Sequence, residues 1–148
     1  PYAEPPVIDK TFEDGEIITL GNTMIRCVLI PGHSPGNTAF FFDVEENNKK
    51  CRVGYFGGAG FNALSRAYLT TFNLPLSLRE DFLKSIDKVI GERVDIMLGS
   101  HPSQYNPFEK RKLMEEGVHS NPFINPNEWE NNLNQLKIRY QAFLEKDY

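Results

Sequence analysis

The sequence predicts an α+β fold, and three observations predict it. Apolar, β-branched runs crowd the first 56 residues, helical periodicities take over after Gly60, and one short, mostly apolar strand-like run interrupts them at residues 94–98. The expected architecture is a mostly antiparallel sheet covered by helices on one face.

The strands come first. Residues 16–20 follow the turn pair Asp14, Gly15, and the pair Gly21, Asn22 separates them from a second run over 23–30. Two apolar runs split by a two-residue Gly-Asn loop predict a hairpin. A third strand is expected over 38–44, where Phe40, Phe41 and Phe42 place aromatics on both faces because neighbouring side chains alternate. Polar residues 45–50 turn the chain into a fourth, over 51–56. Short strands joined by short loops favour antiparallel pairing.

The helices follow. Ser77 with Glu80 three residues on predicts a capping box. Leu78, Phe82, Ile86, Val89 and Ile90 then share one helical face, and Gly91 supplies the stop. Two more helices are expected where Asn106 and Asn125 each precede a Pro, with a Glu shortly after, as N-cap and first-turn residues. Gly117 ends the former. The latter carries Trp129, Leu133, Leu136, Tyr140 and Phe143 as an amphipathic stripe that reads as core packing.

Composition excludes several function classes. Hydrophobic residues make 40% of the 148 and aromatics 12%, which is globular rather than disordered. A net charge of −4 offers no basic face to displace counterions, so no nucleic-acid partner is expected. No apolar run approaches bilayer length, so no membrane partner is expected either. Cys27 and Cys51, the two cysteines, sit inside strand-like runs and read as buried, reduced thiols.

Three histidines carry what chemistry is legible. His33 lies between the pairs Pro31, Gly32 and Pro35, Gly36, directly after the second strand, and His101 follows the short run at 94–98. Sites are built this way, on loops held by rigid strands, and neutral imidazole is the commonest metal ligand. A loop-capping hydrogen bond is the competing role for each. His119, after Gly117, reads as an exposed loop residue. The glycine run at residues 57–60 has neither dinucleotide-fingerprint nor P-loop spacing. Ser34 and Ser100 sit in no nucleophile elbow.

Asp14, Gly15, then Gly21, then the stretch from Pro31 to Gly36 leading into an aromatic strand, resembles the metallo-β-lactamase superfamily. His101 with Pro102, the segment from Asn121 to Pro126 and the terminal amphipathic helix resemble its subclass-three β-lactamases. The resemblance implies the C-terminal half of the four-layer αββα metallo-β-lactamase fold, with residues 1–148 a single partial domain. It also implies a zinc-dependent hydrolase holding two zinc ions when complete, acting on a small-molecule substrate. A cyclic amide is the first expectation for that substrate; another ester, thioester or lactone, as in glyoxalase II-like relatives, is the alternative. A metal-free module of the same fold is a further alternative. His33 would be the third histidine of the first zinc site and His101 a ligand of the second. No catalytic residue is assigned within this chain.

The sequence departs from the family pattern in three places. The paired His-x-His-x-Asp-His ligands are absent, so the zinc site in this chain is expected to be incomplete and the chain alone inactive. Gly57 and Gly58 stand where relatives carry a bridging Asp or a Ser for the substrate carboxylate. No Cys precedes His101 to form a local disulfide. A sheet with helices on one side also leaves an apolar face, so self-association of the chain is expected.

Overall fold

The computed structural model describes residues 4, 7–117 and 120–147. Five strands form one sheet in chain order: β1 (Ile17–Leu20), β2 (Thr23–Leu29), β3 (Thr38–Glu46), β4 (Lys49–Phe56) and β5 (Ile96–Gly99). The first four pair antiparallel, as the short loops require, and β5 joins β4 in parallel. A parallel neighbour needs a long crossover. Helices α1 (Arg66–Thr71) and α2 (Leu78–Val89) supply it; α3 (Pro107–Glu115) and α4 (Glu128–Leu144) follow β5.

Residues directly opposite in a ladder share a face, so the register sorts the sheet into two surfaces. Arg26, Phe41, Gly54 and Met97 lie in one row. The hydrophobic core draws on this side alone: Val28, Ala39, Phe41, Phe56 and Met97 pack against Phe82 and Ile86 of α2 and Trp129, Leu133 and Tyr140 of α4. The predicted stripes are therefore the core. Trp129 lies edge-on to Phe41 and Phe56, and a Cβ on Gly54 would fall 3.0 Å from the indole. A glycine in the middle of β4 thus makes room for the largest core side chain.

The second row contains Cys27, Phe40, Tyr55 and Leu98, flanked by Ile25, Phe42, Val44, Cys51 and Val53. Phe40, Phe42, Val44, Tyr55 and Leu98 are half-buried, and none of this row belongs to the helix-side core. Both cysteines are free and buried here, and burial pushes the Cys27 thiol up, away from the thiolate that metal binding or oxidation needs. No helix among the described residues is long and apolar enough to cross a membrane.

Three expectations about helix starts change. Ser77 precedes α2 but its side chain makes no capping bond; the backbone there is already helical. Asn106 precedes α3 in a left-handed conformation without a side-chain cap. Asn125 does not begin α4: its Oδ1 accepts from the Asn127 amide in a local turn, and the helix starts at Glu128. Ser77 and Asn106 hold the expected N-cap positions without a side-chain cap bond, whereas Asn125 marks a turn ahead of α4.

Candidate functional site

Strand direction decides what meets at each end of the sheet. Antiparallel β2–β3 and β3–β4 pairing makes β2 and β4 run the same way, and β5 is parallel to β4. The segments leaving β2, β4 and β5 therefore emerge at one end. They carry His33, the glycine strap of residues 57–60, and His101, respectively.

The loop holding His33 is seated on α2. Gly32 has φ +140°, and a Cβ there would lie 2.5 Å from the Phe82 Cα. Only glycine allows that approach and that backbone. The Ser85 hydroxyl donates to the Pro31 carbonyl at 2.7 Å, and the Ile30 amide donates to the Asn37 carbonyl at 2.8 Å, closing the loop base. His33 itself is exposed. Its Nδ1 lies 2.6 Å from the Gly60 carbonyl oxygen. A carbonyl only accepts, so this contact puts the proton on Nδ1 and leaves the Nε2 lone pair free. Metal-ligating histidines are oriented by such a bond.

The strap is held from three sides. The Asn37 carboxamide, in a residue only 8% exposed, accepts from the Gly58 amide at 2.7 Å and donates to the Gly58 carbonyl at 3.0 Å. The Ser100 hydroxyl, next to His101, donates to the Gly57 carbonyl at 2.5 Å. The His33 ring lies over Gly58, where a Cβ would come 2.0 Å from its Cδ2. On Gly57 a Cβ would come 2.3 Å from the Asn37 Oδ1. The glycines that depart from the resemblance have a local reason: the space a side chain would take is filled by Asn37 and His33.

His101 is exposed and opens a 3-10 turn, Pro102–Gln104. Its amide donates to the Gln104 Oε1 at 3.2 Å, and the Asn132 side chain of α4 donates to the Gln104 carbonyl at 2.6 Å. So the second histidine loop is tied to the core helix as the first is. His119 lies outside the described residues.

Two imidazoles fall short of the three protein ligands a catalytic zinc normally has. Among the described residues no group of three or more His, Cys, Asp or Glu could hold a metal ion. His33, with Nδ1 tied and Nε2 free, fits a ligand's role; the donors among the described residues do not complete a site.

A broad concavity of about 1200 Å³ occupies the other end of the sheet, lined by Arg26, Asp43, Arg52, Glu92 and Asp95. Neither histidine lines it. Its charges pair internally, Arg26 with Glu92 at 2.7 Å and Arg52 with Asp43 at 2.6 Å, which leaves little unmatched charge for a ligand.

Sequence reasoning singled out both histidines from their bracketing Pro and Gly, and the structure places their loops at one end of the sheet. That reasoning missed Asn37 and the strap, because their meaning lies in contacts across 21 residues. An Asn following Pro-Gly reads as an ordinary turn residue.

No family model matches the sequence. Solved structures do resemble the chain. A subclass B3 metallo-β-lactamase of Bradyrhizobium japonicum is 28% identical with a TM-score of 0.82 over 97% of this chain and 53% of its own. The native metallo-β-lactamase from Legionella gormanii is 28% identical at TM-score 0.85, over 96% and 53%. One from Elizabethkingia meningoseptica is 28% identical at 0.78, over 97% and 52%. The chain spans about half the length of the structures it matches. Its mixed five-stranded sheet with helices on one side is the fold of half a metallo-β-lactamase domain, consistent with the C-terminal half.

Proposed function

We propose that this chain carries the C-terminal half of a zinc-dependent hydrolase of metallo-β-lactamase type, and that the complete protein opens a cyclic amide in a small-molecule substrate. The observation that carries the reading is the shared mount of the two histidine loops. His33 and Ser100, the neighbour of His101, both bond the strap at residues 57–60, at the end of the sheet where β2, β4 and β5 all exit. The likeness to metallo-β-lactamase structures over nearly the whole chain supports it.

In this reading His33 gives its Nε2 to one metal and His101 serves a second, with the remaining ligands contributed by the half that matches nothing in this chain. Bound zinc supplies Lewis-acid activation of water and of a carbonyl near neutral pH. The chain's own part is to hold the imidazoles: Gly32 seats one loop on α2, and Gln104 ties the other to α4.

A metal-free module of this fold is the second reading. Bound zinc per chain and turnover of a chromogenic cephalosporin, a thioester and a lactone by the complete protein decide between them. The expected result is two zinc ions and cephalosporin hydrolysis. His33→Ala and His101→Ala should each lose one ion and cut turnover by orders of magnitude, because a lost metal removes several kcal/mol of transition-state stabilisation. Full zinc in both variants, or none in the unaltered protein, rejects the hydrolase reading. Hydrolysis of only the thioester or the lactone replaces the cyclic amide as substrate.

A further inference from the structure

We infer that Asn37 is a positioning residue for His33: through the strap at residues 57–60 it fixes the imidazole in the tautomer that leaves Nε2 free. The inference rests on the proposed ligand role of His33. Asn37 follows the His33 loop and is almost fully buried, so its carboxamide must be satisfied within the protein. Both of its hydrogen-bonding groups are spent on one residue, Gly58, whose amide and carbonyl it engages at 2.7 and 3.0 Å. Because that amide and that carbonyl belong to the two peptides flanking Gly58, the clamp fixes the backbone on both sides of it. Two residues on, Gly60 presents the carbonyl that receives the His33 Nδ1 proton at 2.6 Å. One rigid strap therefore links a buried amide to an exposed imidazole.

The other contacts point the same way. The His33 ring rests on Gly58 with no room for a Cβ, so the strap sets the ring's plane as well as its tautomer. Ser100 donates to the Gly57 carbonyl, which lets the same strap register the second histidine loop against the first. The Asn37 side chain makes its hydrogen bonds to Gly58 and none to either histidine. It acts through Gly58 and Gly60, and Gly57 lacks a side chain because Asn37 Oδ1 occupies its place.

The test is the imidazole tautomer, read by long-range proton–nitrogen NMR of the whole chain labelled at its three histidines, at a pH where the rings are neutral. His33 should show a protonated Nδ1 and an unprotonated Nε2. Asn37→Ala should lose that signature to the mixture typical of a free imidazole, with the backbone amide spectrum otherwise retained. Asn37→Asp keeps the acceptor for the Gly58 amide but not the donor to its carbonyl, so it should keep the fold and lose part of the signature. Gly58→Ala, which must displace the ring, should lose it; Gly60→Ala, whose Cβ would lie at an ordinary 3.6 Å from the imidazole, should keep it. An unchanged His33 tautomer in folded Asn37→Ala overturns the inference. If that variant fails to fold, an unchanged tautomer in Asn37→Asp does so. Titration of the complete protein with zinc alone separates the two proposals. A His33 Nε2 signal that moves supports the ligand role, and one that stays fixed counts against that role while the tautomer still reports on Asn37.

Discussion

At φ +140° the Gly32 backbone occupies a region that L side chains rarely adopt, and a Cβ there would meet the Phe82 backbone as well as its ring. Strain and overlap add, so Gly32→Ala should cost on the order of 3 kcal/mol. Gly36, four residues away, has nothing within 4 Å of its Cβ position and no positive φ. Gly36→Ala should stay within about half a kcal/mol. Denaturant midpoints at one fixed protein concentration check the pair, and similar shifts for both would remove the role given to Gly32. The two residues read alike in the sequence, each second in a Pro-Gly pair. What separates them is the helix that packs against one of them. The same limit applies at the site: His33 and His101 are legible because their flanking turn residues are local, and Asn37 is not because its partners are distant.

Among elements, the core face of α4 was legible from its stripe, since Trp129, Leu133, Leu136 and Tyr140 are buried and Phe143 half-buried, although its first turn was not. α1 was not. Its six residues carry too short a pattern to announce themselves, and its start is set by Ser65, whose hydroxyl accepts from the Tyr68 amide at 3.2 Å. The end of α4 also shows a consequence that periodicity does not reveal. The Tyr140 hydroxyl donates to the Arg79 carbonyl at 2.9 Å, joining α4 to α2, while the Arg79 guanidinium binds Asp147 and the Leu64 carbonyl. Burial pushes the Tyr140 phenol from 10.0 up to about 12. A group with a raised folded pKa contributes stability that is whole below its unfolded value and lost as pH rises through the folded one. Stability should therefore fall between about pH 10 and 12, by at most roughly 1.4 kcal/mol per unit. Tyr140→Phe should flatten that alkaline limb while costing about 1 kcal/mol at neutral pH for the lost hydrogen bond. Thermal midpoints of the two proteins across that range check it; parallel curves would show that Tyr140 is not the titrating group.

For the whole molecule, layer order was legible and strand direction was not. A helical stripe predicts that helices cover the sheet, but nothing local in residues 94–98 says that β5 lies parallel to β4. That direction results from the long α1–α2 crossover, and it is what brings His101 to the same end as His33. The layer order has a further consequence. Helices lie on one face, and the opposite face is apolar across every strand, with Ile25, Phe40, Phe42, Val44, Tyr55 and Leu98 half-buried. Two apolar sheet faces pack well at an angle near −30°, so a second copy can serve as cover when no other half is supplied. We propose that the 148-residue chain on its own self-associates through this face. Sedimentation should give a dimer or larger species at micromolar concentration, and Phe42→Glu should shift it toward monomer. Phe108→Glu, on the exposed surface of α3, should leave it unchanged. A monomer that binds no apolar dye would contradict the proposal, and an association broken by Phe108→Glu instead would move the interface from the sheet to α3.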